Sequence, residues 1–413
     1  MKASGDYLSD VKTVFLFGAG TSRHMRLGDG PPETTVPADA DFFRKAKDIR
    51  SWCKEEQLAR IGKDALDYVL RSLAQHGIRK EQLIPEDDKA APDVSMETAF
   101  CRLEMVRMLR RSTGRTSASR GWKHSVEAFR DLIAIVMAAG QRADQDELDA
   151  GYDGFVRRMC RARRPKEWAV LTLNYELGIE YAANRYLWDG GFPQTRHMFE
   201  RDPTERKQGH LYHYELPGRG QPDPKIGEAI PLLKLHGSCN WSICPICRED
   251  MTWLWAREDD SGFMIDRLVS DGVNRELCRA NKRHPKQDIP CVTHIVPPTW
   301  NKWMADEATV HIWNAAYTLL KRCKQLFIIG TSLPDTDIHL RQMIQGALSS
   351  RSVRDRPTLY IVNKIDCEHC RQHYLERAKQ AIGIHIDDNA DHCCWGGFER
   401  PDTIEWIVDR ARR

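Results

Sequence analysis

Short apolar runs recur along the chain, and each stops abruptly in polar or turn-forming residues. Six have the length and continuity of strands buried on both faces, the signature of a parallel sheet covered by helices. They are residues 14–17 (VFLF), 169–173 (AVLTL), 231–235 (PLLKL), 293–296 (THIV), 326–329 (LFII) and 359–362 (LYIV), with Lys234 the one charge inside them. Their endings are Gly18-Ala19-Gly20-Thr21-Ser22, Asn174-Tyr175-Glu176, His236-Gly237-Ser238, Pro297-Pro298-Thr299, Gly330-Thr331-Ser332 and Asn363-Lys364. In an open parallel sheet the carboxyl ends of the strands share one edge, and ligands bind there where strand order reverses. The pattern therefore predicts a Rossmann-like α/β fold of about six parallel strands, with small and polar groups gathered along one edge.

The intervals between these runs are long. Apolar spacing of the helical kind predicts helices over 99–111 and 126–140, the latter stopping at Gly140, and a further amphipathic helix over 307–324. Residues 91–95 and 111–121 read as loops, 239–292 as an irregular cysteine-containing insert, and 403–413 as a closing helix. The expected division is a core of 1–41, 166–238 and 293–366, a helical insertion over 42–165, a small Cys-rich insertion over 239–292, and a C-terminal extension over 367–413. No internal repeat or heptad array is present.

Composition narrows the class without selecting a function. The 413 residues are 41% hydrophobic and 29% charged, as in ordinary globular domains. A formal net charge of +3, from 62 basic and 59 acidic residues, argues neither for nor against a polyanion partner. No run approaches the ~18 apolar residues of a membrane span, and residues 1–12 lack the apolar stretch of a secretory signal. Thirteen cysteines without such a signal point to a reducing cytoplasm, with thiols reduced or on metal.

Residues 18–22, Gly-Ala-Gly-Thr-Ser, follow the first strand, where glycines let backbone approach a diphosphate. The full dinucleotide fingerprint fails, because its third glycine position is Arg23, and no Walker lysine follows. Asn174 stands just beyond a strand, placed to orient a water or a ribose hydroxyl; the alternative is a helix N-cap. His236 leaves a buried strand ahead of Gly237, where an imidazole suits proton transfer; the alternative is a satisfied core histidine. Ser238 and Cys239 are nucleophile types, yet no G-x-S-x-G elbow surrounds them. Cys244 and Cys247 form a C-x2-C bite that, with Cys278 and Cys291 and with His284 in reserve, is a candidate structural zinc site; the alternative is a reduced loop. The tail's Cys367, Cys370, Cys393 and Cys394 are expected on helix surfaces. The basic run 156–166 reads first as a solvated helix end, which leaves direct nucleic-acid binding open.

Taken in order, Gly-Ala-Gly-Thr-Ser, Thr-Leu-Asn-Tyr-Glu, Lys-Leu-His-Gly-Ser with a nearby C-x2-C, Val-Pro-Pro-Thr-Trp-Asn-Lys and Gly-Thr-Ser-Leu-Pro-Asp-Thr-Asp resemble the sirtuin-like domains of bacteria, over residues 14–363. The resemblance implies that Gly18, Ala19, Gly20, Thr21 and Ser22 hold NAD phosphates. It implies that Asn174 and His236 are catalytic, that Gly330, Thr331 and Ser332 lie near the adenosine, and that Asn363 contacts a ribose. The chain departs from deacylating sirtuins where these carry Pro-Asp-Phe-Arg and Phe-Gly-Glu segments, having only Asp41-Phe42-Phe43 as an echo of the first and residues 294–303 in place of the second.

Those departures, and the long helical stretch, are similar to the antiphage-defence branch, whose members deplete NAD+. The implied activity is hydrolysis of NAD+ to nicotinamide and ADP-ribose in a bacterial cytoplasm. The alternatives are an NAD-dependent protein deacylase and a non-catalytic NAD or ADP-ribose sensor gating a partner. The resemblance further implies a homo-oligomer and a partner such as a HerA-type ATPase or an Argonaute.

Overall fold

The computed structural model describes residues 7–23, 25–27, 35–53, 56–87, 90–112, 116–138, 141–142, 150–160, 167–180, 182, 230–244, 251–253, 256–259, 262–265, 292–296, 307–335 and 337–413. Its strands, in chain order, are β1 (Thr13–Phe17), β2 (Arg26–Leu27), β3 (Gln141–Arg142), β4 (Trp168–Thr172), β5 (Leu232–Lys234), β6 (Gly237–Ile243), β7 (Met251–Trp253), β8 (Ala256–Asp259), β9 (Gly262–Ile265), β10 (Val292–Ile295), β11 (Gln325–Ile329), β12 (Thr358–Val362) and β13 (Cys393–Cys394). The main sheet is parallel, with six strands in the order β13-β12-β11-β1-β4-β5 and helices on both sides, Rossmann-like. Every residue of β1 and β4 is buried, which explains their unbroken apolar runs. Phe15 of β1 packs edge-on against Phe155 and Trp168 and stacks on Phe327 of β11, with ring centroids 5.0, 5.6 and 5.1 Å away. Burial of a side chain this size contributes about 1.5–3 kcal/mol.

Five of the six predicted runs take their places in this sheet. The sixth, 293–296, does not: β10 pairs antiparallel with β6 in a separate sheet ordered β10-β6-β7. Run length and hydrophobicity do not encode pairing direction. The polar members of the run are partnered rather than exposed: Thr293 donates to Asp131 Oδ1 at 2.7 Å, and His294 stacks on Trp241. The vacancy at the sheet edge is filled by β13, built from the Cys393-Cys394 pair that the sequence suggested for a helix surface. The expected irregular stretch 239–292 likewise contains strands, β6 to β9, with β8 and β9 joining β2 and β3 in a third sheet.

Helices Phe42–Lys47, Ile49–Trp52, Glu56–Ala74, Lys80–Leu83, Met96–Ser112, Thr116–Ala138 and Gly151–Cys160 lie between β1 and β4 in sequence. Phe42, Phe43, Phe100 and Phe129 lock the first of these to Met96–Ser112 and Thr116–Ala138, with ring centroids 5.3–6.2 Å apart. The helix expected over 126–140 begins earlier, at Thr116, inside the stretch 111–121 that reads as a loop. Ser and Thr there lower helix propensity only slightly. Helices Glu307–Arg322, Ile338–Ser349, Glu368–Ile382 and Pro401–Ala411 accompany β11, β12 and β13. Among the described residues, no helix is long and apolar enough to cross a membrane.

Strand order reverses between β1 and β11, since the chain runs outward from β1 through β4 and β5 on one side and from β11 through β12 and β13 on the other. Two glycine turns meet at that point. Gly20 N–H donates to Gly330 O at 2.6 Å, and Gly18 N–H to Ile329 O at 2.9 Å. A Cβ on Gly18 would stand 2.4 Å from the Thr331 Cβ, and one on Gly20 would stand 2.7 Å from Gly330 O. Gly330 itself has φ +61°, and its Cβ would meet Thr21 N at 2.6 Å.

Gly330→Ala should therefore lower stability by about 2–4 kcal/mol, combining left-handed strain with overpacking. Gly77→Ala, at φ +78° with nothing within 4 Å, should lose only about 1–2 kcal/mol. Urea unfolding of both variants checks the contrast; equal losses would contradict the contact.

Candidate active site

Register carries the predicted residues to one row. Phe17 of β1 pairs with Thr172 and with Ile329, Thr172 with Lys234, and Ile329 with Val362. One step beyond this line lie Gly18, Gly330 and Asn363; two steps beyond lie Ala19, Asn174, His236 and Thr331. The row from β12 to β5 crosses four interstrand steps of roughly 4.8 Å, or ~19 Å, which suits an extended dinucleotide better than a mononucleotide.

The Gly18–Ser22 turn differs from an open anion cradle. Its Gly18, Gly20, Thr21 and Ser22 N–H groups donate to Ile329 O, Gly330 O, Gly18 O and Ala19 O. The glycines are thus required first by the neighbouring turn. What the turn presents outward is Ala19 and Gly20, while Thr21 and Ser22 are buried and face the protein. On the opposing turn Ser332 is exposed and Thr331 is buried, its Oγ1 accepting from Leu333 N–H at 3.1 Å. Asn363 lies half-buried beside them, its Oδ1 accepting from Lys364 N–H.

Asn174 is 7% exposed and ties itself to the first turn. Its Nδ2 lies 3.0 Å from Gly18 O, 2.9 Å from Thr21 Oγ1, 3.0 Å from Ser22 Oγ and 3.0 Å from Tyr152 Oη. A carbonyl among these four oxygens requires a donor, which fixes the amide orientation with Oδ1 turned the other way. The side chain is no helix cap. Glu176 completes the cluster, accepting from Ser22 Oγ and Tyr152 Oη, both at 2.8 Å, and from Gly178 N–H. Burial, and then the Glu176 charge, push the Tyr152 phenol well above its usual range, so it stays a neutral donor.

Lys234, the lone charge in the strand runs, is fully buried at the end of β5. Its Nζ donates to Glu176 O and to Glu180 Oε1, the latter at 2.7 Å. It thereby clamps the 175–180 segment against β5.

His236 follows two residues later and is 4% exposed. Its ring lies between Tyr175 and Trp313, at centroid distances of 6.1 and 6.4 Å, and its carbonyl accepts from Val296 N–H at 2.8 Å. Gly237 has φ +77°, and a Cβ there would strike His294 O, so glycine is what lets the chain leave the main sheet directly after the histidine. His236 Nε2 lies 2.9 Å from Asp337 Oδ2. The other Asp337 oxygen accepts from Leu340 N–H at 3.2 Å, capping helix Ile338–Ser349. A carboxylate only accepts, so a proton held against it sits on Nε2, and in that tautomer Nδ1 is the basic nitrogen of the neutral ring. Asp337 and Trp313 escaped the sequence reading. The first was legible as an aspartate opening a helix at Asp337-Ile338-His339-Leu340, the second only as one apolar position of an amphipathic helix.

Tyr175 is buried beside His236, and its hydroxyl has no hydrogen-bond partner among the described residues. Such a group in a native site calls for a ligand or water. Cys239 is fully buried and its thiol is pushed up to about 12 by burial, which removes it as a nucleophile. Ser238 is buried behind the site, donating to Tyr175 O. Of the candidate zinc ligands, Cys244 is buried at the end of β6, while Cys247, Cys278 and Cys291 lie outside the described residues. Among the described residues no group of three or more His, Cys, Asp or Glu is arranged to hold a metal. The 297–303 segment also lies outside them.

No protein-family model matches the sequence, and no curated protein does. The structural neighbours are Sir2 proteins. The chain is similar to a structure described as the basis for the mechanism and regulation of Sir2 enzymes, at 13% identity, covering 99% of this chain and 95% of that one, with a TM-score of 0.38. A Sir2 homolog–NAD complex is similar at 12% identity over 71% of this chain and 76% of its own, with a TM-score of 0.34. A Sir2 protein bound to a myristoylated histone peptide is similar at 13% identity over 71% and 83%, also with a TM-score of 0.34.

Removing one member of the buried Lys234–Glu180 pair should be worse than removing both. Lys234→Met should lose about 3–5 kcal/mol of stability, and adding Glu180→Leu should restore part of it. Denaturant titrations of the single and double variants test this; losses equal to within about 0.5 kcal/mol would contradict the pairing.

Proposed function

We propose that the chain is an NAD+ hydrolase, binding the dinucleotide across the β1/β11 crevice and cleaving its nicotinamide–ribose bond. The observation that carries the reading is the carboxylate-backed His236 set in register with Asn174 at the tips of β5 and β4, on one side of the strand-order reversal. The diphosphate lies over Ala19 and Gly20, the adenosine toward Gly330, Ser332 and Asn363, and the nicotinamide ribose toward Asn174 and His236.

The chemistry follows from the bond. The N-glycosidic pair departs to the pyridinium nitrogen, so nicotinamide leaves neutral and needs no acid. The ribose passes through an oxocarbenium-like state and is captured by water. Asn174 Oδ1 holds a ribose hydroxyl or the water, and Nδ1 of His236 accepts the proton released. Asp337 fixes the tautomer and stabilises the imidazolium. One positioned base supplies roughly 10²–10⁴-fold, and orientation of water against the anomeric carbon contributes further. The orphaned Tyr175 hydroxyl is one more group for the bound sugar or nicotinamide amide. In this reading antiphage NAD+ depletion, a homo-oligomer and a triggering partner remain implications of the sequence resemblance.

The test is nicotinamide release from NAD+ by the full-length protein, alone and with the products of adjacent genes. Release without acylated peptide is expected, with loss of activity in His236→Ala and Asn174→Ala. Asp337→Asn should lower turnover by about 10²-fold or more while NAD+ binding persists, because the wrong tautomer is then held. Wild-type turnover in both alanine variants, with the fold intact by circular dichroism, overturns the assignment. A strict requirement for acyl peptide would favour a deacylase, and tight binding with NAD+ left intact under every condition would favour a sensor.

A further inference from the structure

A second pair of chemistry-bearing side chains lies a short way beyond Asn363 and takes no part in the site above. Cys367 is the N-cap of helix Glu368–Ile382, and its Sγ accepts from the Cys370 N–H at 3.3 Å. Cys370 lies three residues on, in the first turn of the same helix, so the two side chains share one helix end. Cys367, as the N-cap, has extended rather than helical backbone (φ -83°, ψ 124°), so the pair is not held at the spacing of two helix-interior residues. Both side chains are exposed.

Their surroundings differ from those of the buried cysteines. Burial pushes the thiols of Cys239, Cys323 and Cys393 up to about 12. At Cys367 the direction reverses: the hydrogen bond from the Cys370 thiol, then that from the Cys370 N–H, lowers it, and the Arg371 charge acts the same way. At Cys370 the shared hydrogen bond raises it. One thiol is thus set to attack and the other to resolve. The loop before the pair is held in place, since Arg371 donates to Ile365 O at 2.8 Å and lies over the Trp395 ring.

We propose that Cys367 and Cys370 form a thiol–disulfide exchange site for low-molecular-weight disulfides. The Cys367 thiolate attacks one sulfur of the external disulfide. That S–S bond breaks, one thiol departs with a proton from solvent, and a mixed disulfide remains on Cys367. Cys370 then loses its proton and attacks the Cys367 sulfur, closing the protein disulfide and expelling the second thiol. Two protein thiols are oxidised and one external disulfide is reduced.

The probe is oxidised glutathione added to the full-length protein, read by mass spectrometry of the tryptic peptide Ile365–Arg371, which holds both cysteines. In the wild type this peptide should lose two hydrogens, a change that Cys367→Ser and Cys370→Ser should each abolish. Cys370→Ser should trap a glutathionyl group on Cys367. Cys367→Ser, which keeps an N-cap acceptor, should react at Cys370 at least about tenfold more slowly. Alkylation of the unmodified protein supplies a second readout, with Cys367 labelled ahead of Cys370. The proposal fails if no internal disulfide and no trapped adduct form, or if the two cysteines react at equal rates.

Discussion

The contact on which the site depends is backbone against backbone. Where β1 and β11 end, Gly20 donates to Gly330 O, and no side chain beyond hydrogen fits at Gly18, Gly20 or Gly330. The turns are locked together, and the crevice of strand-order reversal takes its shape from them. The glycines are therefore not simply a surrender of side chains to a phosphate. They set the separation of the strand tips, and the turns present the outward faces of Ala19, Gly20 and Ser332 to a ligand.

A polar cluster then ties the outer strands to that contact. Asn174 and Glu176, just beyond β4, hold the first turn through Thr21, Ser22 and Tyr152. Lys234 holds the Glu176 segment from β5. Two residues on, His236 is fixed by its own backbone bond to Val296, by two aromatic neighbours and by Asp337. Buried charge of this kind is a poor source of stability against an apolar core. Its effect here is positional: the imidazole and carboxamide keep a common register with the central turns.

Much of this was legible in the sequence. Unbroken apolar runs ending in Gly, Asn or His gave five sheet strands and the residues at their tips. Pairing direction was not legible, because run length and burial do not encode it, and the antiparallel place of 293–296 is set by Gly237 and by partners for Thr293 and His294. The edge strand β13 was hidden in a two-residue cysteine pair too short to have periodicity. Asp337 was visible as a helix cap, while its contact with His236 exists only once β5 and helix Ile338–Ser349 are brought together. The inward commitment of the Gly18–Ser22 N–H groups has no sequence signature at all.

The central claim is that the crevice between β1 and β11 holds NAD+ with its nicotinamide ribose on the β4–β5 side. A crystal structure of the inactive His236→Ala protein soaked with NAD+ tests it most directly. The account predicts intact dinucleotide lying along the strand tips, with a ribose hydroxyl or a water on Asn174 Oδ1 and the nicotinamide near Tyr175. Dinucleotide seated elsewhere, or reversed so that adenosine faces Asn174, would contradict it.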